Sequence, residues 1–520
     1  MTRSFGAGRA GTAVAVAVLI AVVAAAFGPG AILGAFTLRH ASESSRWLSL
    51  ALSDAFVSQL LLTLEVSALS AAVSLAGALP LALALERYAI RGRLAIEAMI
   101  LSPLLFAPYT AAGAWVSILQ FRFVDGAVAM AVQVGLASLP IAYLILRIAL
   151  ARLPPAYEEA ARVCGHSATS AFFRVRLKLL TGPIAAGALF SAARAFGDYG
   201  CAARNGLNTF GVTFKQIWAG SHSDAVGAAL AAVSAIPGLV FAVLCLVLWR
   251  RFVPQQPPDL LRGQALSRLV PPRAITLGAW ALAGLIFALG FLVPEAWYVS
   301  HALDMRAPAL LKVMDVALET FVNCLAVCAV LSLFAAVSVL AIRPGEAGLR
   351  ASGSFWLLSA NLFFPPMAFA LAWVVASGDG SLGARLLGSW RDGPLLVIAA
   401  QSVKFAPFIL LPVMDTLLRE PPSARDTLQL YAPGWASRVG HTLRFHLPAI
   451  ALGAALVFVE SMKELELAST LQPFDFEAVS LKIHTLARFQ AEQRIAPWAL
   501  ISQLMALPAI GVLLWRLRRD

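Results

Sequence analysis

Two adjacent glutamates, Glu158 and Glu159, stand in the segment RLPPAYEEAARVCGHSATSAFFRVRLKLL (152–180) and are of a type that could perform acid/base chemistry. Such catalysis needs a positioned partner, and no motif of a nucleophile, second base or metal ligand accompanies the pair. A double proline precedes the glutamates, as is tolerated in a first helical turn, and carboxylates there offset the helix dipole by about 0.3–1 kcal/mol each. The pattern therefore predicts a short helix that turns at Gly165. A helix that merely anchors this loop at a membrane surface is an open alternative.

Composition places this charged segment in an otherwise apolar chain. The 520 residues are 60% hydrophobic and 13% charged, whereas soluble domains carry about 25% charged residues. The net charge of +12 comes mostly from basic residues at the ends of apolar runs, as membrane topology requires, so nucleic acid is not an expected partner. Alternating strand patterns are absent, and the predicted fold class is an all-α polytopic membrane protein.

Twelve apolar runs are long enough to be considered as membrane spans. They form two sets of six, in a first half (1–250) and a second half (274–520), joined by a polar, proline-rich linker (251–273). The runs lie at about 11–36, 55–85, 95–120, 127–150, 181–203, 226–249, 274–293, 315–342, 353–377, 394–416, 447–470 and 495–515.

The distribution of Lys and Arg predicts that both termini are cytoplasmic. With this orientation the cytoplasmic segments hold about twice as many basic residues as the opposite loops. The first span could be misread as a cleavable signal peptide, but removing it would leave unequal halves, so we expect it to be retained.

The two halves contain an internal repeat. FAPYTAAGAW (106–115) superposes on FPPMAFALAW (364–373) at a shift of 258 residues. The proline-marked segment 140–155 superposes on 407–422 at a shift of 267. Six spans per half return the chain to the same side, so the repeats are parallel and a pathway is expected at their interface.

The glutamate segment carries a family resemblance. EEAARVCG resembles the Glu-Ala-Ala…Gly loop of ATP-binding-cassette (ABC) importer permeases, which forms a coupling helix that docks on the ATPase subunit. The resemblance implies coupling roles for Glu159, Ala160, Ala161 and Gly165, with Glu158 beside them. FGDYGCAARNGLNTFGVTFKQIWAG (196–220) resembles ferric-iron-type importer permeases, which fuse two six-span halves in one chain.

The equivalent loop of the second half departs from the family pattern. It keeps the double proline and an acid, Asp426, but lacks the Ala-Ala pair. At the shift of 267 the glycine position falls on Ala432, and Gly434 lies two residues later. We therefore expect a degenerate second coupling helix.

Charged residues within the spans also align between the halves. At a shift of 266, Asp198 corresponds to Glu464 and Arg194 to Glu460. Ionisable groups inside a membrane cost about 2.5–3.5 kcal/mol or more unless they are paired or hydrated. We therefore place these four residues at the interface or pathway, with Arg194 and Glu460 neutralising each other across the pseudo-twofold axis. The open alternative is that each residue snorkels to the membrane surface or pairs locally, with Lys463 as the local partner for Glu460.

Several features are absent from the sequence. No Gly-Lys dipeptide occurs, so the phosphate-binding loop of ATPases is missing. Five cysteines and seven histidines show no metal-ligand spacing, and neither a metal nor a cofactor is expected. The resemblance implies separate ATPase subunits, in two copies, and a periplasmic binding protein as partners, besides membrane lipid.

The resulting expectation is a permease subunit of an ABC importer in a bacterial inner membrane, without enzymatic activity of its own. Resemblance favours ferric iron as the substrate, with thiamine or polyamines as alternatives. A secondary transporter can also have two six-span halves, although few intramembrane acids are available to couple ions. A membrane enzyme lacks any clustered catalytic residues.

Overall fold

The computed structural model describes most of the chain. The described residues are 4–40, 42, 53–119, 126–151, 153, 156–221, 269–302, 307–342, 357–379, 381–420, 422–432, 434–473, 476–489 and 492–519, with single positions and short pieces between 223 and 247. The statements below concern these residues.

The N-terminal segment is helical from its first described residue. Its helices are α1 (Ser4–Arg39), α2 (Asp54–Arg87), α3 (Arg93–Leu101), α4 (Pro108–Leu119), α5 (Gly126–Leu150), α6 (Ala156–Val163), α7 (Ala168–Ala171), α8 (Leu177–Leu179), α9 (Thr181–Gly197), α10 (Tyr199–Arg204) and α11 (Phe210–Ser221). A 3-10 turn, Ser102–Leu105, extends α3, and a π-helical turn, Phe172–Arg176, joins α7 to α8.

The described residues of the C-terminal segment are also mainly helical. Its helices are α12 (Arg273–Phe287), α13 (Val293–Ala302), α14 (Ala307–Ala341), α15 (Ala360–Phe363), α16 (Pro366–Ser377), α17 (Leu382–Leu387), α18 (Pro394–Arg419), α19 (Pro422–Tyr431), α20 (Trp435–Lys463), α21 (Glu466–Leu471), α22 (Val479–Arg488) and α23 (Glu492–Arg519). A π-helical turn, Ala288–Leu292, joins α12 to α13, and a 3-10 turn, Gly388–Asp392, follows α17.

The described helices confirm an all-α polytopic architecture. Eight are long and apolar enough to span a membrane: Ala13–Arg39, Phe56–Arg87, Gly126–Leu150, Arg273–Ala302, Leu311–Ala341, Pro394–Leu418, Trp435–Lys463 and Gln493–Arg518. Two bent pairs could each form a further span, Arg93–Leu105 with Pro108–Leu119 (89°) and Phe172–Leu179 with Thr181–Gly197 (50°).

The predicted total of twelve spans stays a prediction. The run at 353–377 coincides with α15 and α16, of which α16 is too short to cross a bilayer alone, since about 20 residues are needed. Much of the run at 226–249 and all of the linker at 251–268 lie outside the described residues.

A helix break occurs twice at equivalent positions. Phe106 ends the turn after α3 with extended backbone (ψ 139°), and Pro108 opens α4. Phe364 ends α15 with extended backbone (ψ 126°), and Pro366 opens α16. Both pairs are separated by the shift of 258 found in the sequence. Proline is compatible with the first turn of a helix but not with continuation of the preceding one, which explains both breaks.

A close helix crossing is also repeated. Gly187 on α9 packs against Ala142 on α5, where an added Cβ would lie 3.6 Å from the Ala142 Cα. Gly453 on α20 packs against Ile409 on α18, where an added Cβ would lie 2.4 Å from the Ile409 Cα. The glycines are 266 residues apart and their partners 267 apart. Small residues let helix backbones approach closely in membranes, so the two crossings use the same packing device.

The first helix of each segment packs against the other segment. On α15, the Asn361 side-chain amide donates hydrogen bonds to Ala25 O of α1 (3.1 Å) and to Val403 O of α18 (3.0 Å). Helix α12 packs against α2 and α3, and Leu269 before it exchanges backbone hydrogen bonds with Arg87 O and Ala89 N, each 3.0 Å long. The two segments are therefore interlocked rather than laid side by side.

The crossing at Gly453 gives a stability prediction. We expect Gly453→Ala to lower the thermal unfolding midpoint of the purified protein, because the new methyl group meets the backbone of α18 and overpacking typically costs about 1–3 kcal/mol. Gly440→Ala on the same helix is the control, since its added Cβ meets no atom within 4 Å. Equal midpoints for the two variants would contradict a tight crossing.

Candidate functional site

The first predicted coupling segment forms a short helix followed by a defined turn. In α6, Glu159 and Ala160 are exposed, whereas Ala161 is buried. The side chain of Glu158 lies outside the described part of the structure. Helix α6 thus presents Glu159 on an exposed polar face and packs through the buried Ala161, as its pattern of small and charged residues predicts.

Gly165 ends α6 in a left-handed conformation. Its φ is +84°, and its N–H donates to Arg162 O (2.9 Å) while the His166 N–H donates to Ala161 O (3.1 Å). These two bonds form a Schellman motif, which needs a left-handed residue at the position that Gly165 occupies. An added Cβ would meet no atom within 4 Å. The glycine is therefore required by backbone conformation rather than by space.

The second predicted coupling segment has a different construction. Helix α19 contains the exposed Asp426, and the buried Ala432 follows the helix. Gly434 precedes α20 with an extended backbone, φ −161° and ψ 166°, which any residue can adopt. The left-handed glycine turn of the first segment is therefore not repeated here.

Arg425 anchors α19 to the rest of the protein. Its guanidinium donates to Val339 O in the last turn of α14 (2.9 Å), to Ile342 O just after that helix (2.8 Å) and to Glu420 Oε2 (3.0 Å). Glu420 also bonds His446 Nε2 at 3.3 Å. Burial raises the pKa of Glu420, but the bonds from His446 and Arg425 outweigh it and hold that pKa below its ordinary value. The carboxylate therefore stays ionised as a fixed counter-charge for the anchor.

Sequence reasoning missed this role of Arg425. At the shift of 267 its position corresponds to Glu158, so the two segments carry opposite charges at one equivalent site. Unsatisfied carbonyls at a helix C-terminus attract basic side chains. The signal in the sequence was the charge reversal at this repeat-equivalent position. The charge reversal does not identify the carbonyl groups to which Arg425 donates its hydrogen bonds.

Both segments expose an apolar side chain at one equivalent position. Val163 at the end of α6 is 87% exposed, and Leu430, 267 residues later on α19, is 81% exposed. Tyr431 and Trp435 extend the second surface and are 83% and 79% exposed. Exposed apolar groups rimmed by polar residues mark interaction surfaces. The second segment therefore offers a larger, aromatic surface than the first.

The predicted charged residues within the spans come together in one buried layer. Arg194 Nη1 on α9 donates to Glu460 Oε1 on α20 at 3.1 Å, and Lys463 Nζ donates to the same oxygen at 2.7 Å. Side-chain exposures are 14% for Arg194, 10% for Glu460 and 5% for Lys463. Glu460 thus has both the distant and the local partner, which the sequence left as alternatives.

Asp198 and Glu464 occupy equivalent backbone positions just beyond the two helix ends. Asp198 follows α9 with ψ 103°, and its carboxylate accepts a hydrogen bond from Cys201 N (2.6 Å). Glu464 follows α20 with ψ 119°, and its carboxylate accepts a bond from Leu467 N (3.0 Å). Lys404 of α18 also donates to Glu464, at 2.7 Å. Each carboxylate caps the short helix that follows a break, so the repeat extends to this detail.

The comparison with known protein families concerns the first part of the chain. Residues 69–254 match the family model of the binding-protein-dependent transport system inner membrane component. This match indicates a permease component of a binding-protein-dependent ABC transport system. The matched residues include α6, the Gly165 turn, Arg194 and Asp198, whereas α19, Glu460 and Glu464 lie outside them. No curated protein matches the chain.

The charged layer gives a second prediction. We expect Glu460→Gln to lower the free energy of unfolding by about 3–5 kcal/mol, because it leaves two buried cations without their counter-charge. The measurement is thermal or chemical unfolding of the purified protein.

Glu477→Gln is the matched control for this measurement. Glu477 pairs with Lys482 at 2.8 Å, but its side chain is 44% exposed, and such pairs contribute about 0–1 kcal/mol. Similar losses in the two variants would show that the Arg194–Glu460–Lys463 contact has no special role in stability.

Proposed function

We propose that the chain is the transmembrane permease subunit of an ABC importer, with two permease halves in 1–250 and 274–520. The observation that carries the proposal is the exposed helix α6 with its left-handed Gly165, within the segment that matches the permease family. The repeated breaks, crossings and carboxylate caps support extension of this architecture to the second half, with twelve spans in total.

The two coupling segments would face the same side of the membrane. The C-terminal ends of α9 and α20 meet at the Arg194–Glu460 contact, and each helix begins next to one of the segments. Because both helices run away from their segment toward the common contact, both segments lie opposite the charged layer. We propose that they face the cytoplasm, as do both termini, and that each binds one ATPase subunit of the bacterial inner-membrane complex.

Transport would follow from a change in the distance between the two segments. Closure of two ATPases on ATP moves α6 and α19 together, and the halves rock about their interface to change access from one side to the other. The charged layer joins the ends of α9 and α20 on the far side, where a periplasmic binding protein would deliver the substrate. Arg194, Asp198, Glu460 and Glu464 would therefore act at the outer end of the pathway.

The proposal extends to the identity of the transported substrate. The resemblance of residues 196–220 favours ferric iron, with thiamine and polyamines as related possibilities. The binding protein would set this specificity.

The importer proposal is tested by reconstitution. The purified chain, incorporated into proteoliposomes with its ATPase, is expected to bind that subunit and to take up substrate only with ATP and the binding protein. The outcome against the proposal is a chain that binds no ATPase and whose uptake is driven by a proton gradient alone, as in a secondary transporter.

Gly165 provides a sharper test of coupling. Gly165→Ala places a Cβ in the left-handed region, which costs about 1–2 kcal/mol, whereas Asn tolerates that conformation. We expect Gly165→Ala to reduce uptake per ATP hydrolysed and Gly165→Asn to retain most of it. Gly434→Ala is the matched control in the second segment, because its backbone is extended and its added Cβ meets no atom within 4 Å. Equal loss in Gly434→Ala would refute the proposed asymmetry.

A further inference from the structure

A cluster of cationic and aromatic side chains lies beyond the charged layer. Tyr199, the first residue of α10, has Lys215 Nζ of α11 over its ring, 4.1 Å from the ring centroid. On another side the His484 ring of α22 packs edge-on against Tyr199, with 5.5 Å between centroids. The Tyr199 ring thus holds a lysine and a histidine from distant parts of the chain next to each other.

His484 has a buried nitrogen without a partner. The residue is 5% exposed, and its Nε2 makes no hydrogen bond with any described residue. A buried polar atom without a partner costs roughly 1–3 kcal/mol, so such atoms usually have a ligand or water. An unsatisfied buried nitrogen beside the partly buried Lys215 and the exposed Arg488 is available to hydrogen-bond a polar group from outside the chain.

Positive charges surround this nitrogen. Lys215, Arg488 and Arg204 are the charged residues whose fields act on His484, and Arg488 lies four residues along the same helix, on the same face. Neither Lys215 nor Arg488 forms an ion pair with a carboxylate of the described residues. The buried Glu466 acts electrostatically on Lys215. The cluster therefore has an excess of positive charge at its rim.

The imidazole remains neutral in this environment. Burial lowers the pKa of His484 to about 4, and the neighbouring Lys215, Arg488 and Arg204 act in the same direction. At neutral pH the ring is uncharged, and the tautomer with a proton on Nε2 donates one hydrogen bond. A neutral donor flanked by cations suits an oxygen that carries negative charge, because charge-assisted bonds are the strong ones.

We propose that His484, Lys215 and Arg488 bind an oxyanion group, a carboxylate, phosphate or phosphonate, of the transported solute. The site lies beyond the ends of α9 and α20, away from the coupling segments, where a solute would first enter. Its assignment to the solute depends on the proposed importer function. The oxyanion site favours an anionic solute, including an anionic chelate of ferric iron, over the cations thiamine and polyamine.

The test uses the full chain in nanodiscs of phosphatidylcholine, titrated calorimetrically with inorganic phosphate and with sulfate at constant ionic strength. We expect saturable binding that weakens at least tenfold in Lys215→Met and in Arg488→Gln. His484→Phe should weaken it similarly, and if that variant fails to fold, the other two, at less buried positions, still decide. Spermidine, a polycation, should not bind at this site.

Lys482→Met is the matched control. It removes a positive charge from the same helix, but Lys482 is already paired with Glu477 at 2.8 Å, so phosphate binding should be unchanged. The proposal is overturned if neither anion binds saturably, if Lys482→Met weakens binding as much as Lys215→Met, or if spermidine binds in their place.

Two further measurements complete the test. One distinguishes a lipid headgroup from a solute as the source of the oxyanion, and the other distinguishes failure of the oxyanion site from failure of the importer proposal. If phosphatidylglycerol in the nanodisc abolishes phosphate binding by competition, the site takes a lipid headgroup and its assignment to the solute is wrong. Association with the ATPase is measured on the same wild-type sample. Phosphate binding without ATPase association would refute the importer while keeping the site, and the reverse result would refute the site alone.

Discussion

The cost of ionised groups in an apolar environment governs the buried contact between the C-terminal ends of α9 and α20. One carboxylate oxygen of Glu460 accepts hydrogen bonds from two cations, Arg194 and Lys463. Next to them, Lys404 neutralises Glu464. Since an unpaired charge at this depth would be expensive, the contact holds the ends of α9 and α20 together. The helix breaks at Asp198 and Glu464 come directly after these two helix ends, and the short helices α10 and α21 begin there.

The two predicted coupling segments are held in place by different contacts. In the first, the helix end is satisfied within the segment itself, through the Gly165 turn. In the second, Arg425 ties α19 to the carbonyls at the end of α14 and to Glu420. The divergent sequence of the second loop thus corresponds to a different set of contacts rather than to a simple loss of structure.

Eight of the twelve predicted runs correspond to described helices that are long and apolar enough to span a membrane, because bilayer thickness imposes a minimum length on such helices. Hydropathy did not predict the 89° break between Arg93–Leu105 and Pro108–Leu119, since a broken span and a straight one have the same composition. The repeat was visible in the proline-marked segments, because those residues constrain the backbone locally. Its deeper agreement, in the glycine crossings at Gly187 and Gly453, required knowledge of the contacts.

The sequence by itself determined the all-helical class, the polar loop with its turn at Gly165 and the correspondence between repeat-equivalent positions of the N-terminal and C-terminal segments. These features depend on local backbone preference and on the length of apolar runs, which neighbouring residues specify. Tertiary structure decided that Glu460 binds both Arg194 and Lys463, that Arg425 reaches α14, and that Lys215 and His484 meet at Tyr199. Helices that are apolar on most faces carry little periodic signal about which face meets a neighbour. Close packing and charge neutralisation over hundreds of residues make that choice.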